Sequence, residues 1–85
     1  MQIIYSQNFL RNYEVLLEVI KEKAEKREAI FRKNPFDKRL KTHKLSGRLS
    51  DFWSFSVDYH YRIVFEFQND NTVIFHKIGN HSVYR

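Results

Sequence analysis

Several side chains able to move protons or hold phosphate fall in the second half of this 85-residue chain, and six of them stand out. His43 and Lys44 precede a glycine turn, Arg62 stands inside an apolar run, Lys77 closes another, and His81 and Tyr84 sit in the stretch GNHSVYR at 79–85. Metal-free cleavage of an RNA phosphodiester needs a base for the 2′-OH proton, a cation for the charge of the pentavalent phosphorane, and an acid for the leaving 5′-oxygen. Histidine can fill either proton role near neutral pH. Tyrosine can stack on an unpaired base or donate a proton, and lysines can hold flanking phosphates. Taken singly, each of these residues is more often an ordinary surface side chain, so only the combination points to chemistry.

Other chemistries find little support. Gly47 and Gly79 are the only glycines, which leaves no phosphate-cradling glycine loop, and HExxH, GxSxG and calcium-loop patterns are missing. Four scattered histidines without a cysteine do not predict a metal site, and no cofactor is expected. His76, between Ile74 and Ile78, is expected to be partly buried and structural, and His60 in DYHY to be solvated. Asp51 reads as a turn residue before FWSF, and Trp53 as core, given its alternation with Phe55 and Val57.

These residues need a frame. IIY at 3–5 reads as a short strand, with Ser6 or Asn8 as cap of the helix that follows. Phe9, Tyr13, Leu16, Leu17, Ile20, Ala24 and Phe31 then recur at helical spacing, predicting one or two amphipathic helices that end before Pro35. No glycine or proline breaks 9–33, so both one long helix and a helical hairpin fit. Beyond Pro35 the period becomes two: FWSFSV, then YRIVFEF, an NDN turn at 69–71, and TVIFHKI. The fold class is α+β, a single domain over 1–85 in which helices pack on one face of a small twisted antiparallel sheet. Alternation puts Trp53, Phe55, Ile63 and Phe65 toward the helices and Ser54, Ser56, Arg62 and Glu66 on the other face.

Net charge is +5, but residues 26–48 carry nine Lys or Arg against two acids, a local +7, so the remainder comes to −2. This concentration favours a polyanionic partner, nucleic acid or an acidic protein, over a neutral small molecule. Eight Phe, five Tyr and one Trp can fill a small core and leave little room for a buried cavity, which makes a surface groove the expected site. No stretch approaches ~18 apolar residues and MQIIYSQNFL has no leader pattern, so a soluble cytoplasmic chain that does not enter a membrane is expected.

HKLSG, LSDFWS, YRIVF and the terminal GNHSVY, together with YSQNFLRNYEVLL and FRKNP upstream, resemble the RelE/ParE superfamily of toxins from type II toxin–antitoxin modules, with the YoeB and YafQ branches nearest. The resemblance spans nearly the whole chain. It implies a RelE-like fold with a basic groove on the sheet face away from the helices. It also implies a metal-independent endoribonuclease that cuts mRNA in the ribosomal A site of the 30S subunit, and a cognate antitoxin that neutralises it in a hetero-oligomer.

Carried over, His43 matches the general base, Arg62 the arginine that stabilises the scissile phosphate, and His81 the terminal acid. Tyr84 matches the nearby aromatic, and Arg85 competes with it for that position, because GNHSVYR is one residue shorter than the commoner form. Lys77 falls where some members have an arginine, and Lys44 and Arg48 fit the basic rim, so that Lys44, Arg48, Lys77 and Arg85 are the expected RNA contacts. The glycine often found before the tryptophan is replaced by Asp51 and Phe52. Two other classes stay open: a ParE-like inhibitor of DNA gyrase, whose members generally lack the histidine pair, and a non-catalytic relative that still binds an antitoxin.

Overall fold

The computed structural model describes residues 1–80. Strand β1 (Gln2–Tyr5) leads into helices α1 (Gln7–Glu14) and α2 (Glu18–Lys33), followed by β2 (His43–Lys44), β3 (Trp53–Ser56), β4 (Arg62–Asn69) and β5 (Thr72–Gly79). Short 3₁₀ turns at Lys38–Leu40 and Gly47–Leu49 flank β2. Among the described residues no helix is long and apolar enough to cross a membrane.

The helical segment is a hairpin. Unbroken helix from Gln7 to Lys33 would run about 40 Å at 1.5 Å per residue, whereas the longest dimension of the molecule is 31 Å. Both Phe9 on α1 and Ile20, Ala24 and Phe31 on α2 must reach one small sheet, and all four are buried. The break falls at Val15–Leu17, where Leu17 takes an extended conformation as the N-cap of α2 and its carbonyl accepts from the N–H groups of Ile20 and Lys21. Leu17, whose spacing suggested a place on the apolar stripe, is therefore 71% exposed. Tyr13 bridges the two helices with its hydroxyl 3.2 Å from Glu25. The start of α1 needs no such compromise: the Ser6 hydroxyl accepts from the N–H of Phe9 at 3.0 Å, as an N-cap should.

The strands form one sheet in the order β1-β5-β4-β3-β2. The neighbours from β2 to β5 are antiparallel, as the period-two runs suggested, but β1 pairs with β5 in parallel, Gln2 opposite Thr72 through Tyr5 opposite Phe75. The helical hairpin carries the chain from β1 at one edge of the sheet to β2 at the other, and the antiparallel strands then return to set β5 beside β1. Between them the helices and the sheet enclose an aromatic core. The Phe31 ring lies 4.8 Å from Phe55, 4.9 Å from Phe65 and 5.5 Å from Phe75, centroid to centroid, and all four side chains are fully buried. Phe9 extends the cluster under α1, 5.5 Å from Phe75.

One irregularity matters for the opposite face. Val64 pairs with Lys77 but Phe65 pairs with Phe75, so His76 is an extra residue in β5. The bulge is braced from the start of α1, where Ser6 Oγ and Asn8 Nδ2 both donate to the His76 carbonyl, at 3.0 and 3.3 Å. Its effect is to turn His76 and Lys77 to the same side of the sheet and return Ile78 to the core. Strict alternation of His76 with Ile74 and Ile78 therefore does not survive: Ile78 is buried beneath the helices while His76 faces away from them.

Candidate active site

Residues directly opposite each other on paired strands share a face, so the register alone assembles a row across four strands: His43, Ser54, Val64 and Lys77. Three inter-strand steps of about 4.8 Å separate its ends by about 14 Å. The next row on the same face runs Ser56, Arg62, Gly79. His43, Arg62 and Lys77, far apart in sequence, thus lie together on the face away from the helices. Lys44 does not join them, since it pairs with Trp53 and alternates to the other side of the edge strand. Arg48 sits exposed on the Gly47–Leu49 turn, whose Gly47 has φ of +66°, a left-handed conformation that favours glycine. His81, Tyr84 and Arg85 lie outside the described residues.

This face is less open than alternation suggested. Ser54 is completely buried and Val64 nearly so. The segment before β3 folds back, with the Leu45 N–H donating to the Phe52 carbonyl at 2.9 Å. Leu49 and Phe52 wall a cleft of about 200 Å³ with Val64, His76 and Lys77. His76 is half-buried there, its ring 5.0 Å from Phe52 and its Nε2 2.9 Å from the Glu66 carboxylate, which gives it the structural role expected of it.

The proton chemistry open to His43 follows from one contact. Its Nδ1 lies 3.1 Å from the Lys41 carbonyl. A carbonyl can only accept, so the hydrogen bond assigns the proton of the neutral ring to Nδ1 and leaves the lone pair on Nε2. Lys41 presents that carbonyl from a left-handed conformation, φ 53°, unusual for a residue other than glycine. His43 itself is exposed on the edge strand.

Arg62 is half-buried and aimed by the β3–β4 loop. Its Nη1 donates to the carbonyls of Asp58 and Tyr61, at 2.6 and 3.2 Å. A guanidinium carries five N–H donors, and among the described residues those on Nε and Nη2 meet no partner. The loop holding it is itself fixed. Asp58 Oδ1 accepts from the N–H groups of His60 and Tyr61 at 2.9 and 2.8 Å, and Oδ2 pairs with Lys23 of α2 at 3.3 Å. Burial pushes the Asp58 carboxyl up, but those two N–H groups and the Lys23 ammonium outweigh it and hold the group below its ordinary value.

Beside Arg62, residues that spacing did not single out complete the basic character. Arg27, Arg39, Lys41 and Tyr59 wall a cleft with Ser56, Asp58 and Arg62. Arg27 Nη1 donates to the Arg39 carbonyl at 2.7 Å, while Asp37 holds the Arg39 guanidinium through contacts of 3.0 and 2.9 Å. The Arg39 side chain and backbone N–H together hold the Asp37 carboxyl down to about 2. The +7 stretch was the available signal for Arg27, Arg39 and Lys41; nothing in the sequence marked Tyr59. Among the described residues no group of three or more His, Asp or Glu side chains could hold a metal ion.

No protein-family model matches the sequence, and no curated protein matches it. Solved structures do. A YoeB/ParE toxin from Agrobacterium tumefaciens superposes with a TM-score of 0.82 at 18% identity, covering 95% of this chain and 99% of that one. YafQ from E. coli gives 0.80 at 17% identity over 98% and 96%. The chain has the RelE-like fold of the YoeB and YafQ toxins. Staphylococcus aureus YoeB, solved as a dimer, shares that fold with a TM-score of 0.78 at 18% identity over 95% and 97%. It has also been solved in a complex with YefM. Within the RelE-like frame of this chain, His43, Arg62 and Lys77 occupy the sheet face that the helices leave uncovered.

Proposed function

We propose that this protein is the toxin of a toxin–antitoxin module of the RelE/ParE superfamily and acts as a metal-independent endoribonuclease on mRNA in the ribosomal A site. The observation that carries the reading is the pairing, on one sheet face, of a histidine whose Nε2 is left as the proton acceptor with an arginine clamped by two loop carbonyls.

In the reaction, His43 Nε2 takes the proton of a ribose 2′-OH, and the 2′-oxygen forms a bond to the adjacent phosphorus. Arg62 donates from its remaining N–H groups to the non-bridging oxygens as charge builds on the phosphorane. The bond from phosphorus to the 5′-oxygen then breaks, and His81 gives that oxygen a proton. The products are a 2′,3′-cyclic phosphate and a 5′-hydroxyl. Tyr84 orients the base or assists the proton, while Lys77, Arg48, Lys44 and Arg85 hold flanking phosphates, Lys44 from the rim rather than the face. The partners are a cognate antitoxin, by likeness to the YoeB–YefM complex, and mRNA on the 30S subunit, all in the cytoplasm.

The test is primer extension on mRNA bound to programmed ribosomes, comparing the wild type with His43→Ala, Arg62→Ala and His81→Ala. Cuts inside A-site codons that fade in all three variants are expected. Growth inhibition by a wild type that makes no cuts would overturn the ribonuclease and turn attention to a gyrase-type target.

A further inference from the structure

Tyr59 is 83% exposed, the most of any large hydrophobic side chain among the described residues, with Val15 next at 82%. Loops often carry such a residue because they are loose. This loop is pinned at every neighbouring position: the Asp58 carboxylate binds the backbone at His60 and Tyr61, the Val57 N–H donates to the Tyr61 carbonyl at 2.9 Å, and Arg62 holds the Asp58 carbonyl. Among the described residues the ring meets one other aromatic, His60, in a T-shaped contact with centroids 5.2 Å apart, and the side chain otherwise stands open to solvent. A single exposed aromatic needs no explanation by itself. Its setting does, because it stands at the wall of a cleft of about 240 Å³ whose other walls include Arg27, Arg39, Lys41 and Arg62. The one carboxylate in that wall, Asp58, is already engaged by two N–H groups and Lys23.

An aromatic face on an ordered loop, beside cations spaced along a groove, is what holds single-stranded nucleic acid: bases stack and phosphates are neutralised. Four cations against one carboxylate that is already engaged favour a polyanion in this cleft over a neutral segment of protein. We infer that Tyr59 is the stacking platform of a nucleotide subsite, with Arg27, Arg39 and Lys41 holding phosphate, that seats the unpaired nucleotide next to the one bound at Arg62. The inference rests on the ribonuclease reading for its substrate, single-stranded RNA, and adds to it a determinant of binding and base preference that lies off the His43 row.

The test is the affinity of the whole protein for a short 2′-O-methyl oligoribonucleotide, which cannot be cleaved, and for an abasic strand with the same number of phosphates. The wild type is expected to prefer the strand with bases. Tyr59→Ala is expected to lose on the order of tenfold in affinity for that strand and little for the abasic one, with Tyr59→Phe near wild type. Lys41→Ala is expected to weaken both strands alike. Equal affinities of the wild type and Tyr59→Ala for the strand with bases would overturn the inference. So would a Tyr59→Ala loss as large against an acidic peptide as against RNA, which assigns the cleft to a protein partner. Failure of the ribonuclease reading shows separately, as missing cuts on ribosomes, because this readout involves no cleavage.

Discussion

Replacing Arg62 by lysine keeps the charge and removes the fork. In the wild type, Nη1 is committed to the Asp58 and Tyr61 carbonyls at 2.6 and 3.2 Å, which in the proposed reaction leaves the rest of the guanidinium for the phosphate. A lysine ammonium is a single point and cannot serve both ends. Losing hydrogen bonds from a charged donor costs about 1.5–3 kcal/mol each at most, and less here because the site is half-exposed. A domain of this size is stable by roughly 4–13 kcal/mol, so Arg62→Lys is expected to stay folded. Losing one preorganised donor to the transition state costs on the order of 10²–10³ in rate. The measurement is single-turnover cleavage on programmed ribosomes at saturating protein, beside urea unfolding of the same sample. A folded Arg62→Lys protein cleaving at the wild-type rate would refute the claim that the clamped fork, rather than charge alone, stabilises the phosphorane.

Three further outcomes follow from the packing. Asp58 is held below its ordinary value of 3.8, so its contribution to stability is complete above that pH and is lost as pH falls through the lower folded value; Asp58→Asn should be less stable than the wild type at neutral pH and converge with it in acid, and parallel unfolding curves at all pH values would contradict this. Phe31→Ala empties the centre of four buried rings and is expected to cost about 3–5 kcal/mol in urea unfolding; a loss under about 1 kcal/mol would mean the cluster is not packed as described. Ser6→Ala removes both the cap of α1 and a donor to the bulged His76 carbonyl, with an expected loss of about 1–2 kcal/mol, and faster amide exchange at Phe9 is the local check.

The alternation in FWSFSV and YRIVFEF was enough to read β3 and β4 and their core side, because period two maps directly onto the two faces of a strand. The two-residue separation of β4 from β5 was equally local, since NDN is turn chemistry: the Asn71 N–H donates to the Asn69 side chain at 2.9 Å. Helix number was not local. Nothing between Phe9 and Lys33 disfavours helix strongly, and the hairpin forms because an unbroken helix would overrun the sheet. Nor could alternation survive in β5, where a bulge braced by Ser6 and Asn8, some seventy residues away in sequence, turns His76 and Lys77 to one side.

For the site, residue type and local charge belong to the sequence itself. The chain carries histidines, an arginine set in an apolar strand, and nine basic residues between 26 and 48 whatever its fold. Which of them meet was settled by strand register, which sets His43 opposite Ser54 and, through Val64, in line with Lys77, and sends Lys44 to the other side one residue later. The tautomer of His43, the clamp on Arg62 and the position of Tyr59 at a basic cleft likewise depend on carbonyls and side chains brought close only in the folded chain. Composition supplies the chemical groups; their orientation is a property of backbone geometry, which residue spacing alone does not encode.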